Sequence, residues 1–172
     1  AAVYVASTGD ALFAGVALWG TACVVLASGR DRPRGDALAL AGGAIFALAL
    51  LLSYGSALLV LLPLAVAIHR RRLRPLLLAA WAGAAVLTVT AAAGFWWVDG
   101  LLTTRREYLQ SVASVRPYGY FLLANLAGLA LVVGPATIAG LARVAHNEPD
   151  TRRLALLLVP VLGIVVLADL SG

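Results

Sequence analysis

Residues 37–69 read ALALAGGAIFALALLLSYGSALLVLLPLAVAIH, and the fold turns on whether this apolar length is one helix or two. As a single α-helix it would be about 50 Å long at 1.5 Å per residue, well beyond a hydrocarbon core of about 30 Å. As two short helices turning at Ser53-Tyr54-Gly55-Ser56, each arm is about 24 Å. Charge decides for the hairpin. The return places Arg30, Arg32 and Arg34 of the preceding flank on the same side as Arg70, Arg71, Arg72 and Arg74, as the excess of basic residues in cytoplasmic loops requires.

The composition around this hairpin is that of a membrane protein. Of 172 residues, 62% are hydrophobic and only 12% charged, which departs from the usage of soluble domains. All 13 basic residues are arginine, with a formal net charge of +5. They lie in short loops that flank apolar runs, so they read as topology signals and no nucleic-acid partner is expected. The single cysteine, Cys23, sits in an apolar run and reads as a packed thiol. The chain has no methionine, opens inside one apolar run and stops just after another. It therefore reads as a single membrane bundle, residues 1–172, cut from a longer protein.

Six spans are expected. The first covers 10–28, with Asp10 or Thr8 placed to cap its start. The hairpin arms supply two more. The fourth covers 76–97, with Trp81 toward one interface and Trp96-Trp97 as an aromatic belt at the other. The fifth covers 118–143, kinked at Gly134-Pro135 and carrying Asn125. The sixth covers 154–169. The fold class is all-α, a polytopic transmembrane helix bundle. Orientation follows from counting arginines, ten on one side against Arg105, Arg106 and Arg116 on the other. The richer side is cytoplasmic, and the expected location is a plasma membrane.

Between the fourth and fifth spans lies WWVDGLLTTRREYLQSVASVRPYGY, residues 96–120. Residues 101–116 are expected to form an extracytoplasmic amphipathic helix lying in the membrane plane. Thr104 and Glu107 have the spacing of a capping box, and Pro117 disfavours helical geometry at Arg116. Leu101, Leu102, Tyr108, Leu109, Val112, Ala113 and Val115 share one face at about 100° per residue. Arg105 and Arg116 fall inside that apolar sector. Arg105 and Arg106 at a helix start oppose the helix dipole, and a phosphate there would relieve both conflicts. Snorkelling of the same arginines at the interface is the alternative.

Other candidates fall in the same outer layer. Asp10 is either a helix cap or a membrane-edge carboxylate with a functional role, and Asp169 is either a solvated helix end or a second such carboxylate. Tyr54, Tyr118 and Tyr120 either anchor at the interface or line an outward pocket for a sugar or isoprenoid. No phosphate-binding Gly-rich loop with a Lys, no His pair at metal spacing and no nucleophile elbow occurs. No cofactor or metal is expected.

Three stretches carry a family resemblance: STGDALFAGVALWG (7–20), LLSYGSALLVLLPLA (51–65) and RPYGYFLLANLAGLALVVGPA (116–136). The chain resembles the multi-spanning glycosyltransferases of the GT-C superfamily in the form found in high-GC bacteria, and its 51–65 stretch resembles their short helical hairpin. The resemblance implies a bacterial membrane enzyme that moves a sugar from a polyprenyl-phosphate donor to an extracytoplasmic glycan or lipid acceptor. The catalytic carboxylate of such enzymes sits on a first extracytoplasmic loop that has no counterpart here. The resemblance therefore implies the donor- and lipid-binding half, with Arg105, Arg106 and Arg116 as candidates for the lipid phosphate. A transporter or lipid flippase segment is the alternative, although that class favours charge near the membrane midplane. A non-catalytic membrane scaffold is a third reading.

Overall fold

The computed structural model describes residues 9–111 and 160–167, with positions 117, 119, 123, 124 and 127. The described elements are all helical: α1 (Gly9–Ala27), α2 (Arg32–Leu52), a 3₁₀ helix (Tyr54–Val60), α3 (Leu61–His69), α4 (Arg74–Ala92) and α5 (Trp97–Gln110). The chain forms two compact units, one of residues 2–103 and a second that takes in residues 104–172.

The hairpin is present in the first unit. Helix α2 stops at Leu52, where Ser53 takes extended angles (φ −153°, ψ 121°) and its amide closes the last turn on the Ala49 carbonyl. The returning arm is a 3₁₀ segment followed by a two-and-a-half-turn α-helix, so it differs in detail from a plain second α-helix. The chain breaks at Ser53, two residues before the Gly55 that invites the turn.

At its other end α2 begins earlier than the hydropathy pattern implies. Arg32 opens the helix, Pro33 occupies its first turn, and Asp31 stands outside in extended geometry. Proline in the first turn has the required φ and lacks only an amide that would be unpaired there. Arg32, Arg34 and Asp36 are thereby drawn into the helix. The same device recurs at α4, where Pro75 follows Arg74.

Helix α2 is the middle element, packed by α1 on one side and α4 on the other. The contacts are made by small residues. Apart from Val24 and Pro63, the buried apolar side chains of this unit are all alanine: Ala17, Ala27, Ala39, Ala47, Ala49, Ala67 and Ala79. Gly42 and Gly43, adjacent in α2, serve opposite neighbours. A Cβ on Gly42 would lie 2.9 Å from Cys23 Cβ, Val24 Cγ2 and the Gly20 carbonyl of α1. A Cβ on Gly43 would lie 2.6 Å from the Ala79 Cα and carbonyl carbon of α4 and would collide with its carbonyl oxygen. Cys23 is thus packed against α2, as its apolar setting implied.

The large apolar side chains point the other way. Trp19, Leu77, Trp81 and Val89 are each more than three-fifths exposed. Among the described residues, α2 and α4 are the helices long and apolar enough to cross a membrane, and only 33% and 11% of those stretches are buried. A soluble core helix would be mostly covered. Small residues between helices and large ones outward is how helices pack where lipid replaces water. Hydroxyls follow the same logic, since Thr21, Thr88 and Thr90 donate to Ala17, Ala84 and Leu87 carbonyls of their own helices at 2.8–2.9 Å. These observations point to membrane association.

The expected six spans are not matched in number. Among the described residues, two helices are long and apolar enough to cross a membrane, and the apolar stretches 11–27 and 54–69 are shorter. The 3₁₀ geometry and Ser53 break leave the second arm with too few α-helical turns to count as a full span. The predicted spans 118–143 and 154–169, with Asn125, the Gly134-Pro135 kink, Arg143, Arg152 and Arg153, lie outside the described residues apart from a few positions.

Candidate functional site

The end of the first unit where the chain leaves α4 is aromatic. Gly94 at φ 95° ends α4 in the left-handed region, a C-terminal stop that glycine permits without strain. Phe95-Trp96 lead into α5, which opens at Trp97 with Asp99 in its first turn, where an acidic side chain favours the helix dipole. The Trp97 indole Nε1 donates to the Leu50 carbonyl at 2.9 Å. That carbonyl is among the last four of α2, which lack helical partners, so the indole ties the start of α5 to the end of α2. Tyr54 meets Trp97 edge to face, with ring centroids 5.4 Å apart and planes at 60°. Gly100 lies directly beneath the Tyr54 hydroxyl, with Phe95 on its flank. The Tyr54 ring is therefore engaged by Trp97 and Gly100. Tyr118 and Tyr120, expected beside it, lie outside the described residues.

The capping-box reading of Thr104 is corrected. Helix α5 starts at Trp97 and passes through Thr104 without a break, so Thr104 and Glu107 are interior residues. The Leu101-Leu102 pair continues the helix across the point where a cap was expected. Arg105 and Arg106 then sit past the middle of α5, away from the positive end of its dipole. Free amides cannot assist them in holding a phosphate. Their side chains are exposed, as are all residues from Leu102 to Ser111, and any anion they bind is held by guanidinium groups alone. Asp10 falls in the first turn of α1, which begins at Gly9. Arg116 and Asp169 lie outside the described residues.

Two cavities mark the first unit. One, of about 280 Å³, is walled by α1, α2, α4 and the 3₁₀–α3 arm, with Phe46, Leu50, Val60, Pro63, Leu76 and Leu87 on its lining. Its single polar wall residue, Thr21, turns its hydroxyl onto Ala17. A 150 Å³ apolar cavity holds one benzene ring, so this one accommodates about ten carbons.

The second is a hollow of about 510 Å³ at the opposite end, lined by Arg30, Asp31, Arg32, Asp36, Arg71, Arg72 and Arg74 together with the backbone around Ser28, Gly35 and Pro75. Arg74 forms a two-pronged pair with Asp36, Nη2 to Oδ2 at 2.7 Å and Nε to Oδ1 at 3.1 Å, joining the N-terminal ends of α2 and α4. Arg72 Nη1 donates to the Ser28 carbonyl at 3.4 Å, joining the loops after α1 and α3. The sequence placed these arginines on one side and treated them only as topology signals. It did not reveal that they enclose a space, because the hollow exists only once both loops meet. The apolar cavity was also missed, although Gly43, Ala47, Ala79 and Gly83 repeat at four-residue spacing, the small-residue signal of close helix approach.

No family model, curated protein or solved structure matches this chain.

Proposed function

We propose that this chain is the membrane-embedded part of a polytopic, six-span glycosyltransferase of a bacterial plasma membrane, taking its sugar from a polyprenyl-phosphate donor for an extracytoplasmic acceptor. The apolar cavity carries the reading. It is walled by four helical segments and lined by hydrocarbon, and its volume suits about two isoprene units of a lipid tail. Such a chain is already dissolved in the membrane, so the cavity gains little from hydrophobic transfer. Its preference for an isoprenoid comes from shape and dispersion contacts with Phe46, Leu50 and Leu87.

Arg105 and Arg106, with Arg116, supply the positive charge for the donor phosphate. Guanidinium groups match phosphate oxygens in paired hydrogen bonds and stabilise charge building on the departing phosphate during sugar transfer. Tyr54 is held by Trp97 and serves as part of the aromatic rim.

The test uses the full-length protein in vesicles, with a polyprenyl-phosphate sugar donor carrying a photoreactive isoprenoid tail. Labelling should map to the cavity segments of α2 and α4 and fall several-fold in Ala84→Phe, which sets a bulky ring on the cavity lining. Sugar transfer should be lost in Arg105→Ala or Arg116→Ala with insertion intact. Labelling spread evenly over the outer faces of the helices would reject the cavity role. Unchanged transfer in both arginine variants would reject the phosphate role.

A further inference from the structure

The hollow at the arginine-rich end has no part in that reading, and its construction is unlike a set of arginines merely reaching for water. Five arginines line it against two aspartates, a surplus of three positive charges within about 510 Å³. One aspartate, Asp36, is consumed by both prongs of Arg74. Among the described residues, the guanidinium groups of Arg30, Arg32 and Arg71 make no hydrogen bond or ion pair; Arg32 feels the Asp36 charge without pairing to it, and Asp31 is the one carboxylate of the lining outside the Arg74 pair. Like charges held this close repel one another, and an anion in the hollow removes that repulsion.

The backbone adds donors of the same sense. Helices α2 and α4 both begin at the hollow, and neither start carries a side-chain cap: Asp31 makes no capping bond, and Leu73 has no group that could. Uncapped first-turn amides suit an anion's oxygens. A further observation concerns Arg71, the one non-glycine residue among those described with positive φ, at 50°. An arginine held in the left-handed region is a strained choice where glycine would be relaxed. Strain of this kind is retained where the side chain has a use.

We infer that this hollow binds a phosphate-bearing anion, held by Arg30, Arg32, Arg71 and Arg72 while the Asp36–Arg74 pair fixes the two helix starts around it. Guanidinium forks and helix amides converge on tetrahedral phosphate oxygens, whereas a monovalent halide would leave most of these donors unused. The headgroup of an anionic phospholipid is the source that fits the position, since the hollow closes the end of the two apolar helices. That source rests on the membrane placement proposed above; the phosphate chemistry does not.

The experiment reconstitutes the full chain in nanodiscs of phosphatidylcholine with a minor fraction of phosphatidylglycerol and counts lipids retained after detergent release by native mass spectrometry. Arg71→Gly is the informative variant, because it removes the guanidinium and relaxes the backbone together, so misfolding does not explain a loss. Retained phosphatidylglycerol should fall about tenfold in Arg71→Gly and in Arg32→Gln, and stay unchanged in Arg34→Gln, which makes the same charge change on α2 outside the hollow. Equal retention in all four proteins overturns the site. An equal fall in all three variants overturns it too, because net charge alone would then govern retention. Inorganic phosphate at millimolar concentration should not displace the lipid. Displacement by inorganic phosphate would keep the anion chemistry and overturn the lipid source.

Discussion

Replacing Gly43 by alanine adds one methyl group at the closest approach of α2 and α4. That methyl would lie 2.6 Å from the Ala79 Cα and carbonyl carbon, where ordinary contact begins at 3.4 Å. Taking 2.6 from 3.4, α4 must retreat by at least about 0.8 Å, and further to clear the nearer Ala79 carbonyl oxygen, since the obstacle is backbone and cannot rotate aside. Overpacking of this kind costs about 1–3 kcal/mol. Alanine regains about 0.8–1 kcal/mol of helix propensity over glycine, so the net effect is a loss of about 0–2 kcal/mol. Gly15 in α1 has nothing within 4 Å of its would-be Cβ, and Gly15→Ala keeps the propensity gain without the collision. The two variants should therefore differ by about 1–3 kcal/mol, and at about 2–4 °C per kcal/mol for a chain of this length their midpoints should separate by roughly 2–12 °C. Thermal unfolding in detergent micelles, followed by circular dichroism, measures the separation. Ala79→Gly should not rescue Gly43→Ala, because the atoms in the way belong to the main chain. Equal midpoints for the two variants, or full rescue by Ala79→Gly, would refute the backbone-contact reasoning.

Trp97→Phe should keep most of the ring contact with Tyr54 but lose the bond to the Leu50 carbonyl. A loss of about 1 kcal/mol is expected in the same unfolding assay, and Trp97→Ala should lose more. Arg71→Gly should raise stability by up to about 1 kcal/mol, because glycine adopts φ 50° without the Cβ clash. In a Cys23→Ala background, single cysteines at positions 71 and 98 should react with an impermeant maleimide from opposite sides of sealed vesicles. Reaction of both from one side would end the proposed sidedness.

The hairpin was legible because two independent signals agreed. Residues 37–69 are too long for one span, and the arginines at 30–34 and 70–74 need a common side. The turn at Ser53 and the bond from Arg72 to Ser28 are the structural expression of that agreement. The start of α5 was misjudged for a physical reason. A Thr-x-x-Glu spacing marks a helix start only if the preceding residues are not helical, and Val98 to Thr103 carry no glycine or proline strong enough to stop the chain, Gly100 notwithstanding. Gly100 instead makes room for the Tyr54 hydroxyl, a tertiary demand that a single position cannot announce. The arginine hollow was hidden for a similar reason. Each loop alone is an ordinary basic flank, and enclosure appears only where the two loops meet.

The threonine hydroxyls of α1 and α4 are satisfied on their own helices, so each of those rods is complete before it meets a neighbour. Among the described residues, the polar cross-links between these rods lie near the extremities: Asp36 with Arg74 and Ser28 with Arg72 at one, Trp97 with Leu50 at the other. The waist between them is joined by van der Waals contact, closest at the glycines and alanines. A single added methyl there should make the rods bow apart at mid-height with both extremities still fastened, widening the 280 Å³ cavity rather than dissolving the assembly.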